Sequence, residues 1–281
     1  MKIVLAGTPF FSVPTFEKII QNFDVVAIIS QPNRPSGRGM IITPTPTSIL
    51  ASKYNIQLFQ PEKIQDIEQT LKTLDYDVLI TMAYGQIIPE QILNIAKKGS
   101  YNIHASLLPK YRGSSPIHYA IWNGEKETGI TFMEMVKKMD AGDMLFQASV
   151  KIEDDDNYDS MSEKLSNLAQ NNIVNWLEKI SQDDFVKTSQ DENQVSFAHK
   201  LTKEDEKLGF DTSAKMIQKI NAFSSIPGVY LNYELNNGNV QRLKVFKVKK
   251  EKVANSLEIK TKDDSIYAID YQFEGKRRVK I

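Results

Sequence analysis

An α/β fold with a mostly parallel sheet, followed by a small β-barrel, is the architecture this sequence predicts. Three observations carry the prediction. Short apolar runs alternate with segments of helical spacing from Lys2 to Ala105, and such alternation implies parallel strands with helices covering both faces. KIVLAG (2–7) is largely apolar and ends in glycine, as a buried first strand does. After residue 228, short segments alternate apolar and polar residues between turn signals, the pattern of a small barrel.

Each element follows from its own stretch. SVPTFEKIIQNF (12–23) has helical spacing, and DVVAIIS (24–30) reads as the second strand. QPNRPSGRGMIITPTPTS (31–48) holds four prolines and two glycines, which argues against regular structure and marks a functional or disordered stretch. ILASKYN and IQDIEQTLKTLD (64–75) are helical, YDVLITMAY (76–84) is a strong strand, and IPEQILNIAKK (88–98) is a helix with Pro89 in its first turn. SYNIHA is the fourth strand. SPIHYAIWNG (115–124) is a short helix stopped by Gly124. Residues 129–152 alternate like a strand pair with a turn near Asp140–Asp143, and 159–180 form a helix on which Ser160 and Glu163 suggest a capping box. The expected organisation is a catalytic domain over 1–185, a linker over 186–200, and a C-terminal barrel over 201–281. That barrel domain opens on a helix over 213–223, and its strands are 229–235, 241–250, 256–261, 265–270 and 276–281.

Composition narrows the functional classes. The chain has 281 residues, 41% hydrophobic and 25% charged, and no cysteine. Disulfides, thiol nucleophiles and thiolate metal sites are therefore excluded. No run of about 18 apolar residues exists, and the N-terminus lacks the features of a signal peptide, so a cytoplasmic, non-membrane protein is expected. Net charge is zero but unevenly placed: residues 151–199 carry a balance of −7, and residues 240–281 a balance of +6. Such asymmetry can mark an anionic partner at the basic end.

Several site types are absent from the sequence. LAGTP (5–9) places a glycine at a strand end but lacks the three glycines of a dinucleotide fingerprint, which argues against a nicotinamide oxidoreductase. Neither a Walker-type loop nor a Gly-x-Ser-x-Gly elbow occurs. The three histidines, His104, His118 and His199, lack metal-ligand spacing, so no metal is expected.

YNIHASLLPKYRG (101–113) carries the strongest candidate chemistry. Side chains two apart on a strand share a face, so Asn102 and His104 point together near a strand's carboxyl end. Ligands of open α/β sheets bind at that end. An amide donor beside an imidazole suits a carbonyl carbon under attack: both can stabilise the oxygen as it gains charge, and the imidazole can move protons.

The flanks of that pair are specific. Asn102-Ile103-His104, then Ser106-Leu107-Leu108-Pro109, then an aspartate, Asp140, 36 residues after His104 within KKMDAGD, closely resemble the 10-formyltetrahydrofolate-dependent formyltransferase family. LAGTP, QPNRPSGRG (31–39), AYGQIIP (83–89), PIHYAIWNGEKETGIT (116–131) and KLTKEDEKLGFDTSAKMIQKINAF (200–223) extend the resemblance to the members that formylate methionyl initiator tRNA. Best matched are residues 1–153. The resemblance implies a Rossmann-like catalytic domain and an OB-like barrel, with 10-formyltetrahydrofolate as formyl donor and methionyl initiator tRNA as acceptor. It implies Asn102, His104 and Asp140 as catalytic residues. It places the folate against Ile87, Ile88 and the segment Ser106, Leu107, Leu108 and Pro109. For the tRNA, Arg34, Arg38, Lys110 and Arg112 lie near the proposed site, and Lys247, Lys249, Lys250 and Arg277 belong to a basic C-terminal track with Lys244, Lys276 and Arg278. A monomer is expected. In this reading His118 is structural and His199 an exposed residue of the linker. Two alternatives stay open: a formyltransferase acting on an amino-sugar nucleotide or other small amine, and a non-catalytic RNA-binding protein.

Overall fold

The computed structural model describes residues 1–36, 39–235 and 237–281. Among these residues the elements run β1 (Lys2–Gly7), α1 (Val13–Asn22), β2 (Asp24–Ile29), β3 (Arg34–Ser36), β4 (Ile41–Thr43), α2 (Pro46–Lys53), β5 (Gln57–Phe59), α3 (Glu68–Thr73), β6 (Val78–Met82), α4 (Glu90–Leu93), β7 (Gly99–His104), α5 (Pro116–Trp122), β8 (Glu127–Glu134), β9 (Met144–Lys151), α6 (Tyr158–Ser181), α7 (Ser213–Ala222), β10 (Val229–Glu234), β11 (Val240–Lys249), β12 (Leu257–Lys260), β13 (Ser265–Phe273) and β14 (Val279–Lys280). The chain divides into two compact units. One comprises Met1–Arg112, Gly129–Val150 and Glu163–Ser196; the other comprises Gly113–Thr128, Lys151–Ser162 and Phe197–Ile281.

The first unit is built on a seven-stranded sheet of order β5-β2-β1-β6-β7-β8-β9. Strands β5, β2, β1, β6 and β7 are parallel, and β8 runs antiparallel to β7. This is the Rossmann-like order, in which the chain works outward from β1 in one direction and then in the other. Both faces are covered, and Ile3, Val4, Leu5 and Ala6 are all fully buried. Close packing demands the glycine that follows them. A Cβ on Gly7 would lie 2.6 Å from the Phe16 ring and 2.8 Å from the Met82 carbonyl, so glycine lets α1 settle onto the end of β1.

Local chemistry explains where the helices start. Thr45 caps α2 by accepting from Ser48 N at 3.2 Å. Helix α6 begins one residue before the expected 159. Asn157 Oδ1 accepts from Ser160 N at 3.1 Å while Ser160 Oγ accepts from Asn157 N at 3.0 Å. The reciprocal cap is thus Asn157–Ser160, not Ser160–Glu163. Helix α4 ends at Leu93, well before the expected 98, because Lys97 N and Lys98 N turn back to the carbonyls of Tyr76 and Asp77. The proline-rich stretch, expected to lack regular structure, contains a two-stranded ribbon, β3–β4, with Pro35 opposite Ile42. A ribbon with two open edges tolerates the missing proline N–H.

The second unit contains a five-stranded antiparallel sheet, β10-β11-β13-β12 with β14 on β13. It is the barrel-like body expected from the alternating segments. Helix α5 packs against α7 within this unit. His118 stacks on Tyr158 with ring centroids 4.1 Å apart, and Phe223 meets it edge-on at 5.9 Å. On β11, Val245 and Phe246 are consecutive buried residues, and the pairing with β13 shifts register there. That irregularity re-phases the alternation, leaving Lys247 and Lys249 exposed on either side of buried Val248.

Candidate active site at the carboxyl end of the central strands

Strand β7 delivers the first two groups. Ile103 is buried, while Asn102 and His104 lie on the opposite side of the strand. Thr81 is Asn102's partner across the β6–β7 ladder, and its hydroxyl donates to Asn102 Oδ1 at 2.7 Å. The same hydroxyl lies 3.3 Å from Met135 Sδ, but thioether sulfur is a weak acceptor and the oxygen contact wins. With Oδ1 occupied, both Asn102 amide hydrogens are directed away from Thr81.

His104 is only 5% exposed. Its Nε2 lies 2.9 Å from the Tyr111 carbonyl oxygen. A carbonyl only accepts, so Nε2 carries the hydrogen, and in the neutral ring Nδ1 holds the lone pair. Nδ1 faces Asp140, whose Oδ2 is 3.8 Å away. Tyr111 and Asp140 both adopt left-handed backbone, φ 64 and φ 50. Such conformations persist when surroundings enforce them. Here the turn after β8 is pressed against its own strand: a Cβ on Gly142 would collide with the Glu134 carbonyl oxygen, so only glycine fits.

The loop after His104 is pinned from within. Ser106 Oγ donates to the Lys110 carbonyl at 2.6 Å, Thr131 Oγ1 donates to the Ser106 carbonyl at 2.7 Å, and Leu108 N donates to Thr131 Oγ1 at 3.1 Å. Gln147 Nε2 adds a bond to the Leu108 carbonyl at 2.9 Å.

Three of the sequence-predicted residues, Asn102, His104 and Asp140, therefore gather at the carboxyl end of β7. The segments expected to line a folate differ among themselves. Ile87 follows β6 and is 74% exposed, and Leu107 and Pro109 keep part of their surface. Ile88, Ser106 and Leu108 are buried, and the Ser106 and Leu108 carbonyls already accept from Thr131 and Gln147. Lys110 is exposed. Arg34 is exposed and paired with Glu62 at 2.7 Å, while Arg38 lies outside the described residues. Lys247, Lys249, Lys250 and Arg277 are exposed on the second unit.

Arg112 is a correction. Expected to meet RNA, it is 1% exposed. Its Nε donates to Gln190 Oε1 at 2.8 Å and Nη2 pairs with Glu192 at 2.9 Å. Burial of a guanidinium demands such partners, and a side chain so enclosed has no surface for a phosphate. The arginine in turn holds the Glu192 carboxyl below its ordinary value, with Lys138 helping. Sequence reasoning also missed Thr81, Gln190 and Ser196. Thr81 left a faint signal, a polar residue inside an apolar strand; the other two sit in a polar stretch with no periodicity.

The family model for formyl transferases matches residues 1–177. The chain belongs to the formyl transferase family. A protein of Mycoplasmopsis pulmonis named methionyl-tRNA formyltransferase is 47% identical over 283 residues, covering 100% of this chain and 96% of the relative. Another of that name from Staphylococcus epidermidis is 40% identical, covering 100% and 94%. Among solved structures, the sugar 3N-formyltransferase WlaRD, crystallised with dTDP and 5-N-formyl-THF, superposes with a TM-score of 0.70 at 20% identity and 99% coverage of both chains. An N-formyltransferase of Helicobacter canadensis in complex with folinic acid and dTDP-3-aminofucose gives 0.71 at 18% identity, covering 95% and 98%. Among the described residues, no cluster of His, Cys, Asp and Glu could hold a metal ion, and no helix is long and apolar enough to cross a membrane.

Proposed function

We propose that this chain transfers the formyl group of 10-formyltetrahydrofolate to the α-amino group of methionine carried on initiator tRNA, as part of translation initiation. The observation that carries the reading is the juxtaposition of Asn102, His104 and Asp140 at one strand end, with Nδ1 and Oδ2 3.8 Å apart. The full-length relatives that share 40% or more of this sequence and are named methionyl-tRNA formyltransferase support tRNA as the acceptor's carrier.

The folate supplies the activated formyl carbon and a leaving nitrogen. Asn102 donates an amide hydrogen to the formyl oxygen as the amine attacks and that oxygen gains charge. His104 takes a proton from the attacking amine at Nδ1, the side its Tyr111 bond leaves without hydrogen. Asp140 then faces a charged ring, with Oδ2 3.8 Å from Nδ1. As the oxyanion collapses and the bond from the formyl carbon to the folate nitrogen breaks, His104 returns the proton to that nitrogen, leaving the formylated amine and a neutral imidazole. An exposed apolar residue, Ile87, after the neighbouring strand β6 fits the flat face of the pterin ring. Lys110 and Arg34 supply positive charge on this unit, and Lys247, Lys249, Lys250 and Arg277 supply it on the other.

The test is formylation of charged initiator tRNA against amino-sugar nucleotides, each with and without the donor folate. Folate-dependent transfer to the tRNA is expected, and Asn102→Ala should lower its rate roughly 10²–10³-fold. Transfer to sugar nucleotides alone would replace the tRNA reading with the sugar one.

A further inference from the structure

The segment from Lys187 to Ser196 has the composition of a connector, yet it straps the two loops that carry the polar groups of the site. At its start, Met144 and Thr188 exchange backbone hydrogen bonds, each at 2.9 Å, and Ser189 Oγ donates to Asp143 Oδ1 at 2.8 Å. At its end, the Ser196 carbonyl accepts from Arg112 N at 2.9 Å, and Ser196 Oγ accepts from Tyr111 N at 3.0 Å.

Gln190 joins the two. Its Nε2 donates to the carbonyls of Asp140 at 2.9 Å and Gly142 at 2.8 Å, and its Oε1 accepts from Arg112 Nε at 2.8 Å. The orientation of this amide is unambiguous, because carbonyls only accept and a guanidinium only donates. The Asp140 loop is thereby tied to Arg112, the neighbour of the Tyr111 carbonyl that orients His104. Glu192 makes a second tie of the same sense, pairing with Arg112 at 2.9 Å and with Lys138 at 3.3 Å.

We infer that Gln190 is a positioning residue for the transfer reaction: its amide locks the Asp140 loop to the His104 loop and so sets the separation of the imidazole and the carboxylate. Both loops need holding, since Tyr111 and Asp140 each occupy left-handed backbone. A single amide that satisfies groups on both loops fixes their spacing in a way two separate anchors would not. Gln190 touches neither substrate nor reacting atoms in this arrangement. The inference rests on the proposed roles of His104 and Asp140.

Two substitutions test it. Gln190→Leu removes every hydrogen bond at similar length. Gln190→Glu keeps the shape and the acceptor for Arg112 but turns an oxygen toward two carbonyls. Each is compared with wild type, with Asp140→Ala and with the matching double variant in formylation kinetics across pH, alongside thermal unfolding. The expected result is a kcat about 10–10²-fold lower, the scale of an ångström-sized misplacement, with both KM values within about twofold of wild type and a displaced pH–rate optimum. In the Asp140→Ala background the Gln190 change should cost nothing further. If Gln190→Leu does not fold, Gln190→Glu alone decides. Wild-type kcat and pH profile in the Gln190 variants, with Asp140→Ala slow, would overturn the clamp, as would losses that multiply independently. A wild-type rate in Asp140→Ala itself would instead remove the site reading, and the clamp with it.

Discussion

Thr81→Val is the most informative change to the site. It is nearly isosteric and removes one hydroxyl from a buried position. That hydroxyl donates to Asn102 Oδ1 at 2.7 Å and holds the amide so that its N–H groups face away. A neutral hydrogen bond of this kind is worth about 1 kcal/mol net. If its role is orientation, the developing oxyanion must itself supply that orientation in the variant. The barrier then rises by about 1 kcal/mol, roughly a fivefold loss in kcat. That is far less than the roughly 10²–10³-fold expected when the donor is deleted in Asn102→Ala. Thr81→Ser, which keeps the hydroxyl, should recover most of the rate. The assay is steady-state formylation of charged tRNA at saturating folate, with thermal unfolding to separate stability from rate. A Thr81→Val enzyme that is less stable but turns over at the wild-type rate would refute the orienting argument. A loss as large as that of Asn102→Ala would also refute it, because the hydroxyl would then be acting on the reacting atoms.

Two further outcomes are expected. Burial pushes the His118 imidazole down from 6.5 to about 4. As pH falls below 6.5 the unfolded chain binds the proton first, so stability is full above that pH and is lost progressively down to about 4, by about 3 kcal/mol in all. His118→Phe should flatten urea-unfolding stability across that window, and an unchanged pH dependence would count against the burial argument. Replacing Lys247, Lys249 and Lys250 together by glutamine should weaken RNA binding. The log–log salt dependence of the binding constant should become shallower by about one unit for each phosphate these lysines neutralise in the wild type. An unaltered slope would mean they are solvated charge.

The sheet was legible because its central strands are buried on both faces, and burial writes itself as largely apolar runs such as KIVLAG and VLITM. Less of the helical structure could be read. The stretch 88–98 has helical spacing, yet only Glu90–Leu93 is helix, since the backbone of Lys97 and Lys98 is claimed by Tyr76 and Asp77. No local propensity encodes a partner about twenty residues away.

The candidate site divides in the same way. That Asn102 and His104 share a side of one strand is a consequence of period-two geometry, and their spacing in sequence was enough to state it. The approach of Asp140 to His104, the carbonyl of Tyr111 that selects the imidazole tautomer, and the burial of Arg112 are products of long-range packing. A basic residue beside a site looks the same in sequence whether it faces phosphate or a protein carboxylate, because the partner that decides lies 80 residues away at Glu192. Sequence alone thus determined the fold class and the placement of Asn102 and His104 on one side of β7. Tertiary structure decided which groups meet them, because loops take their conformation from the hydrogen-bond partners that folding brings to them.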